Sequence, residues 1–120
     1  MGKKTLVLGA SNNPERYSFL VINRLVANNH AVRAIGLDEG EVNGVKIVKV
    51  KKRYKKIDTV TLYLNKENQK DYYEYIIALS PKRVIFNPGT ENSELENILI
   101  KNNISFERSC TLTLLAIGQY

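Results

Sequence analysis

A doubly wound α/β domain, with a mostly parallel five-stranded sheet and helices on both faces, is predicted by three features of the sequence. Short apolar runs alternate with segments of helical period ten or more residues long, the pattern of successive parallel βαβ units. The first run, Thr5-Leu6-Val7-Leu8, passes directly into Gly9 and a polar turn within the stretch LGASNNPERYSF. Tight hairpin chemistry is confined to one place, Asn43-Gly44. At 120 residues and 43% hydrophobic, the chain is expected to form one domain over 1–120, burying roughly two-thirds of its unfolded surface.

Lys4 to Gly9 reads as a short buried strand. Tyr17 to Asn28 repeats Phe19, Leu20, Ile22, Leu25 and Val26 at helical spacing, and Asn28-Asn29 is its stop. Ala31 to Ile35 is the second strand. Asn43-Gly44 joins a local pair that includes Val45 to Val50. Ile57 to Leu64, rich in β-branched and aromatic residues, is the third main strand. Lys66 to Leu79 places Tyr72, Tyr75, Ile76 and Leu79 on one helical face with Tyr73 outward, and Pro81 closes it. Arg83 to Phe86 is the fourth strand, Asn92 to Lys101 a helix with Glu91, Glu94 and Glu96 read as its first turn, and Ile104 to Arg108 the fifth strand. Thr111 to Ile117 can form a last helix. The expected strand order is 3-2-1-4-5, with 2-1-3-4-5 the alternative; in both, ligands sit beyond the carboxyl ends of the strands, an edge marked by Gly9, Leu37, Leu64 and Asn87.

The turn after the first strand then acquires a use. Its backbone N–H groups face the positive end of the first helix, a natural seat for phosphate. Gly9 permits close backbone approach; Ser11, Asn12 and Ser18 can donate hydrogen bonds; Pro14 stiffens the turn; Arg16 can pair with phosphate oxygens. The competing reading is purely structural: Gly9 tightens a strand-to-helix turn while Asn13 or Ser18 caps the helix.

Leu8-Gly9-Ala10-Ser11, the element Asn13-Pro14-Glu15-Arg16-Tyr17-Ser18, the stretch Phe86-Asn87-Pro88-Gly89-Thr90-Glu91-Asn92 and the late Cys110-Thr111-Leu112-Thr113-Leu114 resemble the small coenzyme A-binding domain proteins, relatives of the nucleotide-binding half of the succinyl-CoA synthetase alpha subunit. The likeness covers nearly the whole chain. It implies a Rossmann-like sheet that holds the pyrophosphate of coenzyme A or an acyl-CoA across Gly9, Ala10, Ser11, Asn12, Asn13, Pro14, Arg16, Tyr17 and Ser18. The adenosine side would lie near Gly36 and Leu37, with Leu64, Asn87, Pro88 and Gly89 completing the site. Many relatives carry Val-Asn-Pro after strand two and an Arg-rich turn after strand three; here Ile35-Gly36-Leu37 and Leu64-Asn65-Lys66 stand instead.

A nicotinamide-binding oxidoreductase is the rival among nucleotide binders. Against it, no Gly-x-Gly-x-x-Gly occurs, because the next glycine after Gly9 is Gly36, and Asp38 lies well past the usual position of a ribose-binding acid. Catalytic constellations are missing: no serine, histidine and acid set converges, and the lone His30 falls in the loop before strand two, at the edge opposite the ligand. The expected role is therefore a carrier, sensor or accessory module without chemistry of its own. Cys110 is the one thiol; at a helix start its pKa can be lowered and it can form a mixed disulfide with the coenzyme A thiol, or it is a buried, inert residue packed on Leu112 and Leu115. With one cysteine and one histidine, neither a disulfide nor a structural metal is expected.

Net charge is +6, and Lys46 to Lys56 holds seven cations and no acid. The alternation of Lys49, Lys51, Arg53 and Lys55 describes the wet face of a strand edge with Val48 and Val50 turned inward. Lys46, Lys49 and Lys51 could also meet ligand phosphates, and a nucleic-acid-binding module on 46–56 is the other functional option; the solvated edge is the favoured reading and nucleic acid is not the expected partner, because Tyr54 is a single aromatic among the cations. The first apolar run is too short for a signal peptide or a membrane span, so a cytoplasmic protein with no membrane partner is expected.

Overall fold

The period-two alternation of the strands decides which residues meet which layer of helices. In the computed structural model, which describes residues 2–120, the first strand β1 spans Thr5–Leu8 and sends Leu6 and Leu8 to one face and Val7 to the other. Helix α1 (Tyr17–Ala27) covers the Val7 face with Val21, Ile22 and Leu25. Strand β2 (Val32–Ile35) follows, and then a hairpin of β3 (Gly40–Val42) and β4 (Val45–Val48). Asn43 and Gly44 form its turn with φ of 48° and 82°, the left-handed pair that a two-residue hairpin requires. Strand β5 (Thr59–Leu62) leads to α2 (Lys66–Gln69), a 3-10 turn (Lys70–Tyr72) and α3 (Tyr73–Leu79). Ser80, with φ of 49°, ends α3 in a left-handed cap, and Pro81 follows. Strand β6 (Arg83–Phe86), helix α4 (Ser93–Lys101), strand β7 (Ser105–Arg108) and helix α5 (Thr111–Ala116) complete the chain.

The sheet has seven strands in the order β3-β4-β2-β1-β5-β6-β7, all parallel except β3. This corrects the expected five strands and the place of the third. Residues 57–64 supply β5 beside β1, so the five expected strands run 2-1-3-4-5. The outer position beside β2 belongs to β4, which pairs with β3 on one edge and with β2 on the other. Counting only parallel strands, β4 enters as the third and the order becomes 3-2-1-4-5-6. Thr5 is level with Val32 and with Thr59, Thr59 with Arg83, and Arg83 with Ser105. The carboxyl ends of five strands therefore lie along one line, and their loops share one edge.

Two hydrophobic clusters, one per face, hold the layers. Leu6, Leu8, Val60, Leu62, Val84 and Phe86 meet Tyr75 and Ile76 of α3 and Leu95 and Leu99 of α4. Val7, Val32, Ala34 and Ile47 meet α1, with Leu112 and Leu115 of α5 against them. Each fully buried aliphatic or aromatic side chain contributes about 1.5–3 kcal/mol by leaving water. The expected face of the 66–79 segment is correct for Tyr75 and Ile76, which are buried, and for Tyr72 and Leu79, which pack partly on the same cluster. The single helix expected there is interrupted by the 3-10 turn, and Tyr73 turns inward to bond Glu94 and Asn92 rather than outward. No helix among the described residues is long and apolar enough to cross a membrane.

Candidate functional site

The crevice forms where the chain leaves β1 for one face and β5 for the other, because neighbouring loops there diverge. It is a cleft of about 520 Å³, bounded by the loops after β1, β2, β5 and β6. A cleft of this size falls in the usual range of ~300–1,000 Å³ for small-ligand sites.

Backbone geometry builds the first wall. Gly9 has φ of 90°, and a Cβ there would stand 2.7 Å from the Tyr63 carbonyl oxygen, so only glycine lets the β1 loop lie against the β5 loop. The N–H groups of Gly9 and Ala10 both donate to the Ile35 carbonyl at 2.9 Å. Gly36, buried at the end of β2, allows the Ala10 carbonyl to lie where its own Cβ would be, 2.2 Å away. The turn is then tied internally: Ser11 Oγ accepts the Asn13 N–H at 3.1 Å, Asn13 Oδ1 accepts the Glu15 N–H at 3.0 Å, and the Arg16 N–H donates to the Asn13 carbonyl.

These bonds stop short of the helix. No side chain caps α1, and its first turn carries no acid. Phe19 and Leu20 donate to the Arg16 carbonyl, which leaves the amides of Tyr17 and Ser18 at the open, positive end of the helix. The capping role considered for Asn13 or Ser18 is not taken up. Arg16 is exposed and enters no ion pair among the described residues.

The second wall is braced by buried amides. Gln69 is fully buried; its Nε2 donates to the Leu64 carbonyl at 2.8 Å and to the Thr90 carbonyl at 2.7 Å, linking the β5 and β6 loops. Its Oε1 accepts from Asn92 Nδ2 at 2.9 Å, while Asn92 Oδ1 caps α4 at the Leu95 N–H. Asn65 caps α2 by accepting the Asn68 N–H at 2.9 Å.

Of the residues expected at a site, the cleft brings together Gly9, Ala10, Ser11, Asn12, Arg16, Tyr17 and Ser18 from the β1 loop, Leu37, Leu64, and Pro88 with Gly89. Asn13, Pro14, Gly36 and Asn87 are not in its lining. Asn87 is 2% exposed and faces α5: its Nδ2 donates to Thr61 Oγ1 and the Leu62 carbonyl, and its Oδ1 accepts the Thr111 N–H. Sequence reasoning missed Tyr63, Asn65, Asn68 and Thr90 in the wall; the Asn65 to Asn68 spacing, a helix cap and its partner, was the available signal. Asp38, set aside for its spacing, also lines the cleft.

Cys110 is half-buried just before α5 and outside the lining. Burial pushes its thiol up, but the side-chain hydrogen bond of Thr113 and the backbone amides of Thr113 and Leu112 outweigh it and leave the thiol below its ordinary range. Burial, followed by the charge of Cys110, raises the neighbouring Tyr63 hydroxyl, which stays protonated. His30 lies at the opposite, amino edge, where its Nδ1 accepts the Lys3 N–H at 2.8 Å and its ring meets Tyr120 edge-on. No group of metal-ligating side chains occurs among the described residues.

Residues 3–116 match the family model described as CoA binding domain. The chain belongs to the CoA binding domain family. This CoA binding domain is 47% identical to an uncharacterized protein of known crystal structure, with a TM-score of 0.97 over 100% of this chain and 99% of that one. It is 26% identical to a hypothetical protein from Pyrococcus horikoshii OT3, with a TM-score of 0.84 over 93% of this chain and 80% of that one. Its fold recurs in the dinucleotide forming acetyl-coenzyme A synthetase 1 of Ca. Korarchaeum cryptofilum in complex with phosphate and ADP, at 16% identity and a TM-score of 0.71. There the match covers 90% of this chain and 26% of the synthetase. No curated protein matches the chain.

Proposed function

We propose that the cleft binds coenzyme A or an acyl-CoA and that the protein acts in the cytoplasm as a non-catalytic carrier, sensor or accessory module. The carrying observation is the uncapped, acid-free start of α1 opening on the cleft beside a glycine with φ of 90°. Oriented amides with no partner of their own suit an anion, and a glycine lets a phosphate come within hydrogen-bond reach of the backbone. In this reading the amides of Tyr17 and Ser18, with Arg16, hold the pyrophosphate, and Ser11 and Asn12 donate to it. Leu37 and Tyr17, 83% and 70% exposed at the cleft, offer apolar surface to the adenine or the pantetheine arm. Coenzyme A itself supplies the thiol that carries an acyl group. Cys110, outside the cleft wall, acts only if the pantetheine end reaches past Tyr63.

Asp38 supports one second reading, NAD binding, because an acid beyond β2 can accept from ribose hydroxyls. A thermal-shift panel of coenzyme A, acetyl-CoA, NAD, NADP, ATP and an oligonucleotide separates the two. Coenzyme A at a hundredfold excess over Kd contributes about 2.7 kcal/mol, a rise in Tm of roughly 10 °C. Arg16→Ala removes a charge-assisted bond of about 1.5–3 kcal/mol and weakens coenzyme A at least about tenfold. A shift with NAD and none with coenzyme A overturns the proposal; equal shifts for both variants remove Arg16 from the site.

A further inference from the structure

Of the eighteen Lys and Arg residues, seven lie between Lys46 and Lys56, and the remaining eleven nearly match the twelve acids of the whole chain. The entire positive excess is therefore local to one segment. Its structure is not the strand edge that its alternation suggests. β4 ends at Val48, Val50 points outward at 60% exposure, and residues 49–58 cross from β4 to β5 without a helix, although a parallel crossover is usually helical.

The crossover is held from beneath. Tyr54 packs on the hydrophobic cluster with the Arg33 guanidinium 6.0 Å from its ring. The Tyr75 hydroxyl donates to the Lys52 carbonyl, Lys4 Nζ to the Lys55 carbonyl at 2.7 Å, and Lys51 Nζ to the Asp71 carbonyl above the ring of Tyr72. Burial pushes the Tyr75 hydroxyl up to about 12, so it remains a donor at ordinary pH. The solvent side is free: Lys49, Lys52, Arg53, Lys55 and Lys56 are exposed, Lys51 is exposed beyond its bond to Asp71, and no carboxylate forms an ion pair with any of the six among the described residues. Lys46 stands opposite Glu41 across the hairpin. None of these cations lines the cleft, so the surface is separate from the nucleotide site.

We propose that the 49–56 crossover is a docking surface for the phosphate backbone of duplex nucleic acid, engaged without regard to base sequence. Eight residues span at most about 26 Å, a length over which a duplex presents about fifteen phosphate charges. Lysine ammonium groups act as point charges that match phosphates without demanding one geometry. The rings that could stack on unpaired bases are occupied, Tyr54 under Arg33 and Tyr72 under Lys51, which disfavours a single strand and leaves the electrostatic contact with a duplex. A membrane surface fits less well: Val50 is the only large exposed apolar side chain of the segment, and no amphipathic helix is present there to insert.

The experiment is fluorescence anisotropy of a labelled random-sequence duplex titrated with the full chain at 50, 100 and 200 mM salt, with phosphatidylserine vesicles assayed in parallel. Contact with four to five phosphates gives a slope of log K against log salt of about −4, a loss of roughly 250-fold between 50 and 200 mM. The triple variant Lys49→Gln, Lys52→Gln, Arg53→Gln, whose side chains make no hydrogen bond among the described residues, flattens the slope by about three. Lys49→Gln alone flattens it by about one, and the control Lys66→Gln, Lys82→Gln, Lys101→Gln leaves it unchanged. No binding at 50 mM, a slope that ignores the crossover variants, or vesicle binding without duplex binding overturns the proposal. The outcome is independent of whether coenzyme A raises the Tm.

Discussion

Asn87 separates a brace from a ligand contact. It stands at the carboxyl end of β6, where a residue is expected to face a ligand, yet it is buried and points at α5. Asn87→Ala removes three bonds: Nδ2 to Thr61 Oγ1 at 2.7 Å, Nδ2 to the Leu62 carbonyl at 2.9 Å, and the Thr111 N–H to Oδ1 at 2.9 Å. At about 1 kcal/mol net each, with a further penalty for the stranded Thr111 N–H and Leu62 carbonyl, the loss is about 4 kcal/mol. That is a large share of the ~5–15 kcal/mol that holds a domain together. It corresponds to a fall in Tm of roughly 12–20 °C at this chain length. Asn87→Asp keeps an oxygen for Thr111 but turns an acceptor toward the Leu62 carbonyl, so it is also destabilising. The assay is scanning calorimetry with and without coenzyme A. The brace requires a large fall in the free protein and an undiminished rise on adding ligand. A fall below about 3 °C together with a lost response to coenzyme A would refute this account and return Asn87 to the binding surface.

Two further outcomes test the frame around the cleft. Gly36→Ala puts a Cβ 2.2 Å from the Ala10 carbonyl oxygen, backbone that must move; the Tm falls by roughly 5 °C or more and the coenzyme A shift shrinks with it, whereas unchanged values of both would show that the β1 loop is not seated on β2. Burial, reinforced by Lys3 and Arg83, lowers the His30 pKa below its ordinary 6.5. Its contribution is therefore complete above pH 6.5 and is lost as pH falls through the lowered value. Tm recorded from pH 7.5 to 4.5 should drop over that range in the parent chain and drop less in His30→Gln; parallel curves would exclude His30 as the source.

The strands that became β1, β2, β5, β6 and β7 were legible because each is an apolar run bounded by turn chemistry, and α1 and α4 because their apolar residues keep a helical period. The sheet order was not. Val45 to Val48 alternates like any hairpin strand, and nothing in its own residues reveals that its second edge pairs with β2. That pairing moves the next strand, β5, to the far side of β1. The β1 wall of the cleft was readable from Gly9 and the polar turn. The opposite wall was less so, because Thr90 is fixed beside Leu64 through the buried amide of Gln69, from which it is distant in sequence. Asn87 lies outside the cleft lining because side chains alternate across a strand, so the residue after a buried Phe86 turns toward the other layer.

The paired hydrogen bonds from the Gly9 and Ala10 N–H groups to the Ile35 carbonyl, with Gly36 making room beneath them, have a consequence for association. In the proposed binding mode, a turn seated on the sheet by these bonds offers an entering phosphate a site that need not be ordered first. Less conformational entropy would then be lost on encounter, and a modest set of contacts would suffice for capture. Loosening that seam would be felt first as a slower, weaker grip, before any change in the shape of the complex.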